Sequence, residues 1–470
     1  MPETLVEQLD HIFKPKSVAV IGASNDYSKW GGRVLGNALR SEFRGRIYPV
    51  NPRGGEIQGV EAYKDVRDIP DHVEMAIFTL PAAHVPAAMK ACVEKGVKGA
   101  YMISAGFAET GEEGRKLEQE TVRIANEGGL RFAGPNGNGI WTSAVNLNIL
   151  PFTGIKNGPL AFISQSGTFC GVAGRAAESR GYGMSKVVAI GNQANITAAD
   201  YLEYLGQDED TKVIGMYLEG LKEGRRFFQV AKKVSRTKPI IIFKGGSSDF
   251  GARATLSHTA SIAGEEAVFQ AMCKQAGIIQ VPEIEHLFIM AEALWSQPIP
   301  PGNRVAVIGN GGQCVTIVDL LASMGVDVPE LKKEDQIKLK ETMPPHAPMP
   351  QNPIDYAAGN MSGMGEVNVV ETLLSLDYID GVITNVPNTR LDVYFPSLAE
   401  QRKASIDIIA KFSELPEKYN KPIITQAWFK DEQTIDFLKK AKIPIYDTPA
   451  EVSRAMAALM NYSKIKKRPE

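Results

Sequence analysis

The chain has 470 residues, which is long enough for about three domains of ordinary size. Its 52 basic and 54 acidic side chains nearly cancel, so no overall field favours nucleic acid or a membrane surface as a partner. The four cysteines are far apart, with no Cys-x-x-Cys pair, and no apolar run approaches the roughly 20 residues of a membrane span, so we predict a cytoplasmic protein with reduced thiols and no metal site.

Strand-like apolar runs alternate with helix-like segments along the chain, which is the pattern of parallel α/β domains. The pattern predicts three domains, at residues 1–150, 151–297 and 298–470, the last beginning in a proline-rich segment. The strands predicted for them are residues 17–22, 46–50, 75–80, 99–104 and 130–132; then 160–164, 186–190, 213–218 and 240–243; then 304–308, 381–386, 422–427 and 443–446. Helices are predicted at residues 85–95 and 114–126.

The turn after the first predicted strand contains Gly22 and leads into a helix, where backbone amides can approach a phosphate. A dinucleotide fingerprint would need a second glycine at Ser24 and an acidic residue where Asn51 stands. Arg53 instead offers a cation that suits a ligand with an extra phosphate. The turn therefore favours coenzyme A or NADP over NAD, with the alternative that its glycines serve only a tight turn.

The second predicted domain opens with a strand that runs into Ser164, Gln165, Ser166 and Gly167. Hydroxyls and amides at a helix start can bind an anion, although the serines could equally be simple N-caps. Glu219 follows the strand at 213–218 and could hold an imidazole in one tautomer, unless it is a solvated loop glutamate.

His258 lies among small residues after the strand at 240–243. A neutral imidazole is a nucleophile near neutral pH, and small neighbours let a bulky anion approach. The alternative is a surface histidine in a flexible linker.

The order of these motifs resembles the α subunit of ADP-forming acetyl-CoA synthetases, members of the acyl-CoA synthetase (NDP-forming) and succinyl-CoA synthetase superfamily. The resemblance runs from Ser17 to about Tyr462. The segments that carry it are Val20-Ile21-Gly22-Ala23-Ser24-Asn25, Val50-Asn51-Pro52, Ser104-Ala105-Gly106-Phe107-Ala108-Glu109-Thr110-Gly111, Ser164-Gln165-Ser166-Gly167, Gly191-Asn192, Leu218-Glu219-Gly220 and Ser257-His258-Thr259.

The resemblance implies a Rossmann-like domain that binds coenzyme A, followed by two flavodoxin-like domains of the succinyl-CoA-ligase type. It also implies a reversible conversion of acyl-CoA, ADP and phosphate to the free acid, coenzyme A and ATP, through an acyl phosphate and phospho-His258. Glu219 would orient the phospho-imidazole, and the 164–167 segment would bind phosphate. The residues implied in coenzyme A binding are Gly22, Ala23, Ser24, Lys29, Arg53 and Pro81.

Nothing in the sequence reads as an ATP-grasp domain, and the third series, with Gly309-Asn310-Gly311-Gly312, resembles the family's last flavodoxin-like domain. The resemblance therefore implies that ADP or ATP, with Mg²⁺, binds a separate ATP-grasp β subunit in a heterotetramer. Two other classes stay open: a catalytically silent coenzyme A-binding regulator and, less favoured, an NADP-dependent oxidoreductase.

The chain departs from the family pattern in the segment expected to face the thioester of the acyl-CoA. Asn136, Gly137 and Asn138, the expected substrate-binding residues, stand where relatives read Asn, Cys and a small apolar residue. Gly137 could widen the pocket, and Phe169 and Trp141 could pack against a longer or aromatic acyl group. The sequence therefore predicts a small organic acid that is not simply acetate, with the alternative that these residues lie outside the pocket and acetate is preferred.

Overall fold

The computed structural model describes residues 3–248, 250–251, 266–356, 363–387, 402–427 and 432–468. The chain divides into two compact units, Met1–Leu287 and Phe288–Glu470. The first unit contains a parallel sheet, a mostly parallel sheet and a two-stranded antiparallel sheet, and the second unit contains one parallel sheet. Among the described helices, none combines the length and the apolar character that a membrane span would need.

The first sheet has the strand order β2-β1-β5-β6-β7, with all pairs parallel. Its central strands are buried along their whole length, because helices cover both faces of a parallel sheet. The first seven strands of the chain are β1 (Ser17–Ile21), β2 (Arg46–Val50), β3 (Gly55–Ile57), β4 (Val60–Ala62), β5 (Met75–Phe78), β6 (Gly99–Met102) and β7 (Arg131–Ala133). Of these, β3 and β4 form a separate antiparallel hairpin. The α-helices are α1 (Leu5–Phe13), α2 (Trp30–Arg40), α3 (Val85–Lys95) and α4 (Glu112–Glu127), with 3-10 turns at Val66–Asp68, Ala82–His84 and Ala108–Thr110.

The second sheet has the order β14-β13-β12-β10-β11-β8-β9, and its last two strands are antiparallel additions. Its strands are β8 (Ile140–Thr142), β9 (Leu147–Asn148), β10 (Asn157–Ser164), β11 (Met184–Ala189), β12 (Val213–Leu218), β13 (Ile240–Lys244) and β14 (Ile279–Val281). Its helices are α5 (Gly167–Arg180), α6 (Ala198–Gln207), α7 (Gly224–Val234), α8 (Glu266–Ala276) and α9 (Ile284–Ser296), the last of which spans the division between the units.

The third sheet has the order β16-β15-β17-β18-β19 and is parallel throughout. Its strands are β15 (Val305–Gly309), β16 (Ile354–Asp355), β17 (Gly381–Asn385), β18 (Ile423–Gln426) and β19 (Ile445–Tyr446). The helices of this part are α10 (Gly312–Ser323), α11 (Lys333–Lys340), α12 (Gly363–Ser375), α13 (Arg402–Tyr419), α14 (Glu432–Lys440) and α15 (Pro449–Lys466).

Within each of the three larger sheets the five parallel strands, counted in chain order, are arranged 2-1-3-4-5. This is the flavodoxin-like order, in which ligands bind beyond the carboxyl ends of the strands where the order reverses. The predicted α/β fold built on parallel sheets is confirmed, with two antiparallel strands added at one edge of the second sheet. The predicted domain bounds stay a prediction: they assign β8 and β9 to the first domain, whereas these two strands pair within the second sheet.

A buried ion pair lies in the second sheet. The Lys186 ammonium is 2.6 Å from the Asp208 carboxylate, and the two side chains are 0% and 3% exposed. Thr211 donates a further hydrogen bond to the same carboxylate oxygen at 2.5 Å. Burial alone would raise the pKa of Asp208, but the charge and hydrogen bond of Lys186 outweigh it, so this pKa is lowered.

We predict that Asp208→Asn destabilises the protein by about 3–5 kcal/mol at neutral pH, because it leaves the buried Lys186 charge without its partner. A Lys186→Met, Asp208→Leu double variant should recover most of this loss. Urea unfolding followed by the fluorescence of Trp141, which pairs with Val187 on the strand of Lys186, measures the change.

The pH dependence of stability gives a second readout for this pair. Because the folded pKa of Asp208 is lowered, its contribution is present above its ordinary value of about 3.9 and is lost as the pH falls through the folded value. The double variant should therefore lose less stability than the natural protein below about pH 4. An Asp208→Asn variant as stable as the natural protein at pH 7 would contradict this account.

Candidate functional site

The turn between β1 and α2 depends on close backbone approach. Gly22 has φ 93°, and a β-carbon built on Gly31 would overlap the Gly22 carbonyl. Such a left-handed conformation and such a contact both favour glycine. Lys29 is the N-cap of α2, makes no side-chain capping bond, and has an exposed side chain. Gly22, Ala23, Ser24 and Lys29 therefore lie together along one turn.

Gln58 holds this turn in place and is not among the residues predicted from the sequence. Its Nε2 donates to the carbonyls of Ser24 at 2.9 Å and Gly32 at 2.8 Å, and its Oε1 accepts from the Tyr27 hydroxyl at 2.9 Å. Gln58 and Gly59 form the two-residue turn of the β3–β4 hairpin, with φ 51° and 81°. That turn geometry was the available signal, although β3 and β4 are only three residues each.

The segments after β2 and β5 flank the same turn. Asn51 Nδ2 donates to the Ala23 carbonyl at 2.9 Å, and Asn51 Oδ1 accepts from the Arg53 amide at 3.0 Å. On the other side Thr79 Oγ1 donates to the Ile21 carbonyl at 2.9 Å, two residues before the exposed Pro81. The structure thus brings the six residues expected to bind coenzyme A to one sheet edge. The exposed Lys29 and Arg53 side chains suit its phosphates, whereas the Asn51 amide is committed to the backbone.

The 164–167 segment forms the start of α5. The buried Ser164 hydroxyl donates to the Ser166 carbonyl at 2.6 Å and accepts from the Ser166 amide at 3.1 Å, so it shapes the turn itself. Ser166 is the N-cap residue but makes no side-chain capping bond. Ser166 therefore occupies the N-cap position of the alternative interpretation, but its hydroxyl does not cap the helix. The start of α5 retains the positive end of the helix dipole.

Glu219 is 4% exposed, so the alternative of a solvated loop glutamate is wrong. Gln165 Oε1 accepts from the amides of Glu219 at 2.5 Å and Gly220 at 3.1 Å, which fixes the backbone that carries this carboxylate. The Tyr217 hydroxyl donates to Glu219 Oε1 at 3.1 Å. Burial, followed by the charge of Glu219, raises the pKa of Tyr217, so its hydroxyl stays protonated and donates.

Aromatic rings pack against the ring of Tyr217, whose hydroxyl donates to Glu219. The ring centroid of Phe169, in the first turn of α5, is 4.4 Å from that of Tyr217 and 6.0 Å from that of Phe243. Phe169 thus already packs within the protein beside the Glu219 site. Trp141 is 5% exposed within β8, where it pairs with Val187 and Asn148. Trp141 therefore offers almost no surface to an acyl group.

His258 lies outside the described residues, so its expected role stays a prediction. Gly245, which precedes His258 in the chain and is described, lies against the residues just before Glu219. Its amide donates to the Leu218 carbonyl at 2.9 Å, and a β-carbon built on it would overlap the Tyr217 hydroxyl. Lys244 Nζ lies 3.7 Å from Glu266 Oε2, and the Lys244 side chain is 2% exposed. An ion pair thus joins the end of β13 to the start of α8.

The loop of Asn136, Gly137 and Asn138 packs tightly between the two sheets of the first unit. A β-carbon on Gly137 would overlap the Tyr101 hydroxyl and lie 2.7 Å from the Ala189 carbonyl oxygen. The expectation that Gly137 widens a pocket is therefore wrong, because Tyr101 fills that space. The Asn138 side chain instead lies against Gly167, the first residue of α5.

Glu109 connects three motifs and is not among the site residues predicted from the sequence. One carboxylate oxygen accepts from the Gly106 amide at 2.6 Å and the Phe107 amide at 3.2 Å, and the other accepts from Asn192 Nδ2 at 2.6 Å. Burial raises the pKa of Glu109, but the bonds from Asn192 and these amides outweigh it and lower that pKa. Asn136 Nδ2 lies 3.5 Å from Asn192 Oδ1, so the 104–111, 134–139 and 191–192 segments meet here.

Comparisons with known proteins agree with this geometry. Residues 16–142 match a CoA binding domain family, and residues 157–294 match the succinyl-CoA ligase like flavodoxin domain. The acetate–CoA ligase [ADP-forming] II subunit alpha of Pyrococcus furiosus is 39% identical over 97% of this chain and 98% of its own length. A 4-hydroxybutyrate–CoA ligase [ADP-forming] of Nitrosopumilus maritimus is 31% identical over 96% of this chain but only 64% of its own.

A solved structure is similar over its whole length. The dinucleotide forming acetyl-coenzyme A synthetase 1 of Ca. Korarchaeum cryptofilum, in complex with phosphate and ADP, is 34% identical with a TM-score of 0.86, and 97% of each chain is covered. The turn at Gly22, the buried Glu219 beside the start of α5 and these similarities have one explanation. The chain belongs to the family of ADP-forming acyl-CoA ligases, in the part that their α subunits represent.

Proposed function

We propose that this chain is the α subunit of an acid–thiol ligase that reversibly converts acyl-CoA, ADP and phosphate to the free acid, coenzyme A and ATP. The observation that carries the proposal is the position of Glu219. A carboxylate that is 4% exposed, with its backbone fixed by Gln165 and one oxygen bonded to Tyr217, lies at the strand end beside the start of α5. Such a group suits the orientation of a phosphorylated imidazole.

Acyl-CoA would bind along the edge formed by the β1–α2 turn, with Lys29 and Arg53 neutralising phosphates of coenzyme A. Gly31 keeps this turn close to the helix start, so amides and the helix dipole can face a phosphate. The thiol end would then lead toward the 134–139 loop, where Asn136, Gly137 and Asn138 border the thioester.

Inorganic phosphate would bind at the start of α5 and attack the thioester carbonyl. The bond from carbon to sulfur breaks, coenzyme A leaves as a thiolate, and an acyl phosphate forms. A ring nitrogen of His258 then attacks phosphorus, and the carboxylate of the free acid leaves. The terminal phosphate oxygen of ADP finally takes the phosphoryl group from His258, which yields ATP. Alignment and charge neutralisation are the main requirements of such transfers, and helix amides and Gln165 supply them.

Glu219 would accept a hydrogen bond from the ring nitrogen of His258 that does not carry the phosphoryl group. A carboxylate in this place fixes the tautomer before the transfer and stabilises the cationic ring during it. Gln165 Oε1 is committed to two amides, so the Nε2 of its amide is the end that could contact phosphate.

We further propose that ADP and Mg²⁺ bind a separate ATP-grasp subunit, and that two copies of each chain form a heterotetramer. The Pyrococcus relative is named as an alpha subunit, and this chain covers only 64% of the Nitrosopumilus relative, which leaves a third of that protein for another component. The four cysteines are all buried thiols, which agrees with a reducing cytoplasm.

The two alternative functions explain less. A silent coenzyme A-binding regulator would bind its ligand through the first sheet but would not need a buried Glu219 beside the start of α5. An NADP-dependent oxidoreductase would use the side chain at position 51 to contact its dinucleotide. The Asn51 side chain is instead already bonded to the Ala23 carbonyl and the Arg53 amide.

We predict that acyl-CoA and phosphate, with the partner subunit, yield an acid-labile phosphoprotein, and that His258→Ala abolishes it. Glu219→Gln should lower the phosphoprotein level by about 10–100-fold and leave coenzyme A affinity within about twofold, because the lost charge acts on the imidazole. Glu223→Gln, an exposed glutamate on the same loop, is the matched control. Full turnover by His258→Ala would refute the mechanism.

We predict that the isolated chain binds coenzyme A more tightly than NAD but makes no ATP from ADP. Calorimetry measures both affinities, and a coupled assay measures ATP. Robust ADP phosphorylation by the single purified chain would overturn the assignment of the nucleotide to a partner, and tighter binding of NAD would overturn the cofactor.

We predict that Gly31→Ala weakens coenzyme A binding by at least about tenfold, equivalent to about 1.4 kcal/mol, because the new β-carbon overlaps the Gly22 carbonyl and displaces the turn. Gly224→Ala is the matched control, since a β-carbon there meets no atom within 4 Å. Equal affinities of the two variants would show that the β1–α2 turn does not hold the ligand.

A further inference from the structure

The side chain of Asn138 is packed against the first residue of α5. A β-carbon built on Gly167 would overlap Nδ2 and Cγ of Asn138 and lie 2.7 Å from its Cβ. Residue 167 must therefore be glycine for Asn138 to occupy this place. The two residues are far apart in the chain but form one surface at the amino-terminal end of the helix.

The backbone that carries Asn138 is fixed on both sides. Gly139 has φ 115°, its amide donates to the Tyr101 hydroxyl at 2.8 Å, and a β-carbon there would overlap the Ile149 carbonyl. Before it, Asn136 has φ 59°, and the Pro135 carbonyl accepts from the Asn192 amide at 2.9 Å. The direction of the Asn138 side chain is thus set by the fold before any ligand arrives, which is what a selective contact needs.

The Asn138 amide is polar, partly buried and available. In the described part of the chain no residue makes a hydrogen bond with this side chain, although it can donate two and accept two. The side chain is partly exposed, so water can satisfy the amide in the free protein. A ligand that displaces this water must supply the same hydrogen bonds or lose affinity.

We propose that Asn138 determines which acid the enzyme accepts, by hydrogen bonding a hydroxyl or keto oxygen on carbon 2 or carbon 3 of the acyl group. The inference rests on the proposed function, in which the phosphoryl group of the acyl phosphate lies at the start of α5. The carbonyl carbon is then joined to that phosphoryl oxygen, and the next one or two carbons pass the side chain that lies against Gly167.

The oxygen that Asn138 contacts is a neutral one. A second carboxylate on the acyl group could also accept from the amide. It would then lie one or two carbons from the negative phosphoryl group, and like charges so close together repel strongly in a partly buried site. A hydroxyl group both donates and accepts, so it matches both ends of the amide. Unsubstituted acids such as acetate or propionate would not offer this oxygen to the Asn138 amide. The enzyme would therefore bind the transition states for these acids less tightly.

The test compares propionyl-CoA with 2-hydroxypropionyl-CoA and 3-hydroxypropionyl-CoA in the purified complex of this chain with its partner subunit. The readouts are kcat/KM for each thioester and the coenzyme A affinity, which confirms that each variant is folded. Asn138→Val removes the amide at nearly constant size. Asn157→Val, an exposed asparagine at the opposite end of β10, is the matched control.

We expect the natural protein to prefer one of the hydroxyacyl thioesters by at least tenfold, and Asn138→Val to reduce that preference by at least tenfold while Asn157→Val retains it. A preference unchanged by Asn138→Val, or a natural protein that favours propionyl-CoA, would overturn the inference while the proposed function stands. A preference for succinyl-CoA over all three would also overturn it. Absence of activity with every thioester would overturn the inference, and the additional absence of any acid-labile phosphoprotein would count against the proposed function as well.

Discussion

The amide oxygen of Gln165 bonds two successive backbone amides, those of Glu219 and Gly220, and the geometry of the site depends on this contact. It joins the turn before α5 to the turn after β12, two segments that lie side by side because β10 and β12 are neighbouring parallel strands. The bond fixes where the Glu219 carboxylate stands relative to the helix start. The Tyr217 hydroxyl then fixes one oxygen of that carboxylate. Positioning of this kind costs nothing during the reaction, since it is established when the protein folds.

The same principle of close backbone approach recurs along the site. At Gly31 the helix start contacts the preceding turn, at Gly167 it contacts Asn138, and at Gly245 the chain contacts the Tyr217 hydroxyl. Each glycine brings a segment nearer than any side chain would allow. Together these contacts place the β1–α2 turn, the 134–139 loop and the start of α5 within one compact unit, Met1–Leu287. A ligand that spans a nucleotide and a thioester needs such continuity.

The sequence predicted the fold class well, because buried parallel strands are continuous apolar runs that stand out, as β12 and β13 do. It did not predict β3, β4, β8, β9, β14 or β16, each of which has only two or three residues. The candidate residues around Gly22 and Gln165 were found from glycines and hydroxyls near strand ends. Gln58 was missed and Gly137 was misinterpreted, since contacts such as that between Gly137 and Tyr101 join positions far apart in the chain. The role of His258 still stands on the resemblance and on the position of Glu219.

The central claim is that a phosphoryl group passes from acyl phosphate to His258 beside Glu219. The most direct measurement is mass spectrometric mapping of the phosphoryl group after the complex is incubated with acyl-CoA and phosphate in the absence of nucleotide. The account predicts one acid-labile phosphoryl group, on the peptide that contains His258. An acid-stable phosphoryl group on Ser164 or Ser166, or no phosphoryl group while coenzyme A is released, would contradict it.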